Sequence, residues 1–391
     1  MKWKIRFGAA LGNMLEHYDI AVFAAVSVYL SAELKRLGYH QATEIVWGIF
    51  ALRYMIRPLG GYIIGCYADR VGKKPALILT TVITGVATFC MALIPIETLG
   101  VYTPIVIFIL QVALSFSFAG EYPSLITYLF SGANSNESSK VSTLSAGSSL
   151  LGFFIAFGLV FVLEKIIEPE LMQSIGWRIP LLLGIVNVLV SFWFRAKLPD
   201  QPIIKTDHTV VKWRNCFYVF LIAIPSSATF YTQSISPSLV SQYFKNPELK
   251  RIYGMLSTGL LLVAMIICSW LTDKYSKPER VFNMGVMGLV IFSIPIYYAM
   301  NNGSFETILV SQFFITIYIS MIWCNVADQL VRDSGGEVTI LGVGFNLTAT
   351  LVGGMTPLII SYLVDINLIY VGMFLSLCGL FPLTLKMLKL N

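Results

Sequence analysis

The stretch Gly65 to Lys74 reads G-C-Y-A-D-R-V-G-K-K and lies between two long apolar runs. Three cations, one acid and two glycines sit in a connector too short to wander. Lys and Arg gather in the cytoplasmic loops of membrane proteins, so this connector declares its own side. Gly65 permits a close helix approach and Gly72 a tight turn. Asp69 is placed to cap the N-terminus of a neighbouring helix. Arg70, Lys73 and Lys74 are placed to reach helix C-terminal carbonyls or acidic partners. Together they predict a hydrogen-bonded clasp that gates one face of the molecule.

The rest of the chain has the composition that such a loop needs around it. Of its 391 residues, 56% are hydrophobic and only 12% charged, with a mean hydropathy of +0.75. Soluble domains carry roughly 25% charged residues, so this chain lacks the polar surface that water requires. The formal charge of +6 does not point to nucleic acid, because the cations fall in short loops and at the ends of apolar runs. The six cysteines form no C-x-x-C pair and read as small buried hydrophobes. The basic, then apolar, N-terminus is like a signal peptide, but Glu16, His17 and Asp19 interrupt its run. It is read as a retained first span.

A bilayer crossing needs roughly 20 apolar residues. Twelve stretches qualify, near 5–30, 43–67, 75–95, 102–130, 139–163, 178–198, 215–243, 251–271, 280–300, 306–330, 338–364 and 367–388. The longest hydrophilic connector, 199–213, divides six spans from six. The expected architecture is an all-α membrane protein of two pseudo-symmetric six-helix bundles, 1–198 and 214–391, joined by that linker. With the N-terminus inside, the inner loops hold well over half of the 27 Lys and Arg, which places both termini in the cytoplasm. A faint repeat supports the duplication. Asp69-Arg70 with Lys73 follows the second span, and Asp273-Lys274 with Lys277 follows the eighth, its counterpart in the other half.

Charges inside a bilayer are costly and functional by default. Here Glu16, His17 and Asp19 lie in span 1, Arg53 and Arg57 in span 2, and Glu121 in span 4. At about 1.5 Å per residue all fall roughly 13–24 Å from the inner ends of their helices, near the middle of a core about 30 Å thick. Arg53 and Arg57 are i,i+4 neighbours on one face, as Glu16 and Asp19 are at i,i+3. The plain structural reading is neutralisation between adjacent helices, Glu16 with Arg57. The functional reading is a polar pocket at mid-membrane. Two arginines within one turn repel unless something anionic lies between them, and a carboxylate suits guanidinium forks. Low dielectric favours a protonated carboxyl and a nearby Arg opposes it, so Glu16, Asp19, Glu121 and His17 are the candidates for carrying a coupling proton. Span 7 lines Ser226, Ser227, Thr229, Tyr231, Gln233 and Ser234 ahead of Pro237, the pattern of a bent, cavity-lining helix. Span 10 adds Trp323, Asn325 and Asp328, of which Asp328 is expected to pair with Arg332.

The loop Gly65-x-x-x-Asp69-Arg70-x-Gly72-Lys73-Lys74 resembles the signature of the major facilitator superfamily at every defining position. Further segments resemble its metabolite–proton symporter branch, which includes carriers of citrate, 2-oxoglutarate, and proline or betaine. These are Gly12-Asn13-x-x-Glu16-x-Tyr18-Asp19, Arg57-Pro58-Leu59-Gly60-Gly61, Gly120-Glu121-Tyr122 and Gly176-Trp177-Arg178-Ile179-Pro180. Looser matches are Tyr231 with Pro237 and Leu239, and Phe345-Asn346. The chain departs from the branch at Phe108, where an Arg is usual, at His17, where an aromatic is usual, and at Arg53, where a small residue is usual. The extra arginine bears on the substrate.

The resemblance implies a monomeric secondary importer in a bacterial inner membrane, working by proton-coupled alternating access. The expected solute is a mono- or polycarboxylate, a class that includes carboxylate siderophores. Its candidate contacts are Arg53, Arg57, Asn13, Gln111, Tyr231, Gln233 and Trp323. A zwitterionic amino acid or osmolyte is the rival solute. Export of drugs is the rival direction, disfavoured because span 5 has Gly147, Gly152 and Gly158 but no proline. No H-E-x-x-H, G-x-S-x-G or P-loop occurs, so neither catalysis nor ATP drive has a candidate site, and no cofactor or metal is expected.

Overall fold

A computed structural model describes residues 2–134, 136–201, 212–234, 247–302 and 304–390. Helices account for nearly all of them: α1 (Trp3–Arg36), α2 (Ala42–Leu52), α3 (Arg57–Val71), α4 (Lys73–Ala92), α5 (Thr103–Phe130), α6 (Ser138–Ile166), α7 (Arg178–Ala196), α8 (Trp213–Ser234), α9 (Pro247–Tyr275), α10 (Pro278–Asn302), α11 (Phe305–Asp333), α12 (Val338–Thr348), α13 (Thr356–Ile366) and α14 (Leu368–Leu390). Among the described residues nine stretches are long and apolar enough to cross a membrane, and they correspond to expected spans 3–6 and 8–12. The other three fall short for identifiable reasons. The first holds Glu16, His17 and Asp19, and the second is interrupted by Arg53 and Arg57. The seventh ends at Ser234, beyond which its residues, Pro237 and Leu239 included, lie outside the described ones.

Two spans are broken rather than continuous. A 3-10 turn, Arg53–Ile56, joins α2 to α3, with Pro58 just inside the start of α3. That position suits Pro because the first N–H groups of a helix have no intrahelical acceptor. A π segment, Ala349–Gly353, joins α12 to α13. Pro123, Pro225, Pro295 and Pro382 lie inside α5, α8, α10 and α14.

The chain divides into two compact units, one of Met1–Ser131, Ser148–Val210 and Glu337–Val343, the other of Gly132–Gly147, Val211–Gly336 and Gly344–Asn391. The expected linker, 199–213, lies mostly in 202–211, outside the described residues. In the first unit an apolar core collects Tyr18, Phe23, Leu30, Leu34, Met91, Ile107 and Trp177. Its motif residues tie helix ends together. The Tyr18 hydroxyl donates to Pro180 O at 2.9 Å. The Arg178 guanidinium donates to Ala92 O at 2.7 Å and Ile94 O at 2.9 Å, answering carbonyls that the end of α4 leaves open. In the second unit Ser293 donates to Gly372 O at 2.8 Å, and Thr348 to Phe220 O at 2.9 Å. Large apolar side chains such as Leu189, Val186, Ile266 and Ile291 are exposed. Such a surface suits a hydrocarbon solvent and not water.

At Gly65, as at Gly60, Gly152 and Gly342, backbone meets backbone within the first unit. A Cβ on Gly65 would stand 2.6 Å from Thr339 Cα and 2.9 Å from Thr339 N. Gly65→Val is therefore expected to destabilise the detergent-purified protein by the ~1–3 kcal/mol typical of overpacking, read as a fall in melting temperature. An unchanged melting curve would show that α3 and the start of α12 do not meet this closely.

Candidate functional site

Among the described residues, the buried charges of the first unit other than Arg6 and Glu33 form two groups. In one, Arg195 on α7 is fully buried and serves two carboxylates. Its Nη1 donates to Glu16 Oε1 at 2.9 Å, and its Nη2 pairs with Glu121 Oε1. The same guanidinium donates to Leu77 O at 2.9 Å and to the Thr81 hydroxyl. Four helices, α1, α4, α5 and α7, thus meet on one planar cation, whose forked donors suit that task as an ammonium would not. The cation beside Glu16 is Arg195, not Arg57. Arg195 stands near the end of the expected sixth span, 178–198, where a cation is easily taken for part of the linker, but α7 continues through it to Ala196 and sets it inside the span. Arg6, in the basic N-terminal stretch, is likewise buried, with its guanidinium 4.9 Å from the Trp3 ring.

A narrow crevice lies beside this cluster, lined by Leu15, Glu16, Asp19, Thr81, Thr84, Val188 and Ser191. Asp19 is buried, with neither carboxylate oxygen hydrogen-bonded. It packs against Gly184, whose missing side chain leaves it room. Glu121 Oε2 and the Ser191 hydroxyl are also buried without a hydrogen-bond partner. One guanidinium therefore faces two carboxylates directly, with a third acid at the edge of the same crevice.

The second group is Arg53 and Arg57. Both are buried and both reach α5: Arg53 Nη1 donates to Gln111 Oε1 at 2.5 Å, and Arg57 Nε to Ser115 Oγ at 3.4 Å. Sequence reading asked for an anion between them. The structure supplies aromatic faces. The Tyr54 ring lies 5.6 Å from Arg53 Cζ and 4.1 Å from Arg57 Cζ, with Phe23 5.7 Å from the first and Phe118 4.7 Å from the second. The negative faces of these rings offset part of the repulsion. The 3-10 turn that carries Arg53 also has a rise of about 2.0 Å per residue, longer than that of an α-helix. Arg57 has no carboxylate partner among the described residues.

The remaining site candidates are placed as follows. The Asn13 amide donates to Ser148 at 2.7 Å and Ser149 at 3.0 Å on α6. His17 Nδ1 is 2.8 Å from Asn13 O, and its ring packs edge-on against Phe118 and Phe153. In the second unit the Trp323 indole donates to Thr229 at 2.9 Å and stacks on Phe230. Gln233 Oε1 accepts from Ser257 at 3.1 Å and from Gln312 at 3.2 Å, while Tyr253 donates to Gln312 Oε1 at 2.9 Å. Gln312, Tyr253 and Ser257 were missed because uncharged polar groups in an apolar run attract no notice. The Tyr231 side chain lies outside the described residues. Asp328 takes Arg332 Nε at 2.9 Å.

The loop after α3 forms its contacts within the first unit. The Asp69 carboxylate accepts from Val338 N and Thr339 N, both at 2.8 Å, and from the Thr339 hydroxyl at 2.7 Å. It caps the first turn of α12, where the helix dipole favours an anion. Lys73 Nζ donates to Thr127 O at 3.3 Å near the end of α5, and Lys74 meets Asp200 at 3.3 Å. Gly72 makes the turn at φ +126, and Arg70 is exposed. The repeat has its own version in the second unit. Asp273 accepts from Ser139 N at 2.9 Å and Lys140 N at 3.1 Å, capping α6.

Residues 5–205 match the family model of the sugar (and other) transporters. The chain belongs to this transporter family. The transporter is 23% identical over 389 residues to the proline/betaine transporter of Escherichia coli (strain K12), covering 91% of this chain and 77% of that one. A relative in Staphylococcus aureus (strain COL), whose name also carries proline/betaine transport, is 25% identical over 380 residues, covering 90% and 80%. Among solved structures it resembles the major facilitator proton:xylose symporter XylE, with a TM-score of 0.82, 14% identity and coverage of 99% and 95%. It also resembles the human organic anion transporter MFSD10, with a TM-score of 0.70, 15% identity and 97% coverage of each chain. The fold is thus that of the major facilitator superfamily, and the transporter is a multi-pass membrane protein with no enzymatic role in its family.

Removing Arg195 strands two buried carboxylates. Arg195→Met is expected to destabilise the transporter by about 3–5 kcal/mol, read as a fall in melting temperature in detergent. Adding Glu16→Gln and Glu121→Gln to the same protein is expected to recover most of that fall. A single Arg195→Met variant as stable as the parent would show that the guanidinium does not hold this cluster together.

Proposed function

We propose that this transporter imports a small solute bearing a carboxylate, with proton coupling and both termini in the cytoplasm. One observation carries the reading. Glu16 and Glu121 are taken up by Arg195, whereas Arg57 rests on Tyr54 and Phe118 with no carboxylate beside it among the described residues. A buried guanidinium so arranged is a ready receptor for a carboxylate, which it meets through two parallel N–H donors. Arg53 stands one turn away, on the same α5 face, as the second cation that a di- or tricarboxylate would use.

A second reading has support of its own. The two relatives described above carry proline/betaine transport in their names. A zwitterion would set its single carboxylate on Arg57 and make no demand on Arg53. The solute classes therefore differ in how many arginines they require.

Coupling follows from the charge count at Arg195. Two carboxylates share one guanidinium in a fully buried cluster, and an uncompensated charge there is expensive. Taking up one proton closes the balance. Asp19, at the edge of the same crevice, is the route by which that proton would come and go. In this scheme the helix caps made by Asp69 and Asp273 are contacts that break and reform as the transporter cycles by alternating access.

The solute is tested by thermal shift of the purified transporter against citrate, dicarboxylates, proline, betaine and carboxylate siderophores. A true ligand raises the melting point as its concentration rises above its dissociation constant. Arg57→Gln is expected to abolish that shift whichever class binds. Arg53→Gln is expected to abolish it for a polycarboxylate and leave it for a zwitterion. A shift that survives Arg57→Gln rejects the arginine as receptor.

Coupling is tested with the solute so found, in proteoliposomes. Glu121→Gln is expected to lose uptake driven by a pH gradient while keeping solute counterflow, which needs no net proton movement. Loss of both would mean that Glu121 serves the fold or the solute and not the proton.

A further inference from the structure

The second unit holds a thiol pair that the transport reading leaves unused. Cys268 on α9 and Cys324 on α11 place their sulfurs 3.4 Å apart, already at van der Waals contact. All six cysteines are free thiols. Cys268 is half-buried and Cys324 fully buried, so one is open to attack and its neighbour is sheltered. Closing a disulfide needs the sulfurs to approach from this contact to about 2.05 Å.

The surroundings connect this pair to the cap on α6. The Asn325 amide donates to Cys324 Sγ at 3.1 Å and to Met321 O at 2.9 Å. The other end of the same side chain, Asn325 Oδ1, accepts from the Ser139 hydroxyl at 2.7 Å. Ser139 N in turn donates to Asp273, five residues along α9 from Cys268. The helices that carry the two sulfurs are thus the two that carry the anchors of the α6 N-terminus, Asp273 from one and Asn325 from the other. Ser142 adds a further tie, its hydroxyl donating to Trp323 O at 3.2 Å and accepting from Ala327 N at 3.2 Å.

We infer that Cys268 and Cys324 form an oxidisable dithiol whose closure to a disulfide stiffens the anchorage of α6 and slows the transporter. The oxidant is a small neutral hydroperoxide. The Cys268 thiolate attacks one peroxide oxygen, the O–O bond breaks, and water leaves once the departing oxygen is protonated. The resulting sulfenic acid is then attacked by the Cys324 thiol. The S–S bond forms, the S–O bond breaks, and the oxygen leaves as a second water with the thiol proton. Both sulfurs are oxidised by one step each and the peroxide is reduced, so the balance closes without a metal or cofactor. A low-molecular-weight thiol reverses it.

The experiment uses the full-length transporter in detergent, treated with hydrogen peroxide and then with a maleimide that counts remaining thiols. Two of the six cysteines are expected to lose reactivity together, and non-reducing peptide mapping is expected to recover a Cys268–Cys324 cross-link. Amide hydrogen exchange at Ser139, Lys140 and Ala327 is expected to slow in the oxidised protein and return after reduction. Cys268→Ser and Cys324→Ser should each show parental exchange before peroxide and no change after it. Peroxide that oxidises thiols singly, with no such cross-link, overturns the pairing. A cross-link that leaves exchange at those three amides untouched overturns the stiffening.

Discussion

A charged group in hydrocarbon has to find its counterpart inside the protein, and this constraint organises the first unit more than any apolar contact does. Arg195, carried by α7, draws α1, α4 and α5 to a common point because each of the three supplies an acceptor to the guanidinium. Apolar packing against lipid contributes little to choosing between arrangements, since a helix gains almost the same from lipid tails as from a neighbour's leucines. A buried ion cluster does choose. Breaking it costs several kcal/mol, which trading an apolar contact for lipid does not. The same residues then have two duties, fixing the bundle and holding an imbalance of charge that a proton can settle.

Helix ends pose the parallel problem. Each leaves backbone groups unsatisfied, and in a connector as short as Gly65 to Lys74 there is little chain available to answer them. The solution recurs in both units. An acid at the end of one helix caps the start of another, Asp69 on Val338 and Thr339, Asp273 on Ser139 and Lys140. In each the acid follows the second span of its half, and the capped helices are the eleventh and fifth spans, which also correspond. A contact made of two N–H donors and one carboxylate is strong enough to hold and small enough to break as a unit. That combination suits a joint in a cycling protein better than a broad apolar seam.

The spans were legible because hydropathy is a sum over about twenty residues, and the clasp because its acid and glycines stand out in a short loop. What escaped the sequence was the identity of partners. Glu16 and Arg57 sit on neighbouring spans at similar depth, so adjacency favoured them as a pair. The true partner, Arg195, comes from a helix 179 residues away along the chain, and its place near the end of an apolar run resembles that of a linker cation. The glutamine network of Gln233 and Gln312 escaped for another reason. A neutral amide in an apolar run carries no charge to raise the question of where it goes, though its burial obliges it to find donors and acceptors all the same. The 3-10 turn between α2 and α3 was hidden as well, because Arg53–Ile56 contains neither Gly nor Pro.

The aromatic setting of Arg57 has a consequence for recognition. Had its counterpart been a carboxylate, an incoming anion would have had to displace that group, losing several kcal/mol before gaining anything. A cation–π contact is worth about 0.5–2 kcal/mol and uses the face of the guanidinium, leaving its edge donors in the plane. A carboxylate approaches along that plane. Tyr54 and Phe118 can therefore keep the cation ordered and partly compensated in a low-dielectric site while an anion binds, and neither need leave. The acids of the unit are held away from this arginine by their own cation, so separating the charges into two groups is what keeps one of them available. If the solute binds at Arg57 as proposed, Arg195 would contribute to its recognition without touching it: by occupying Glu16 and Glu121 it removes the competitors.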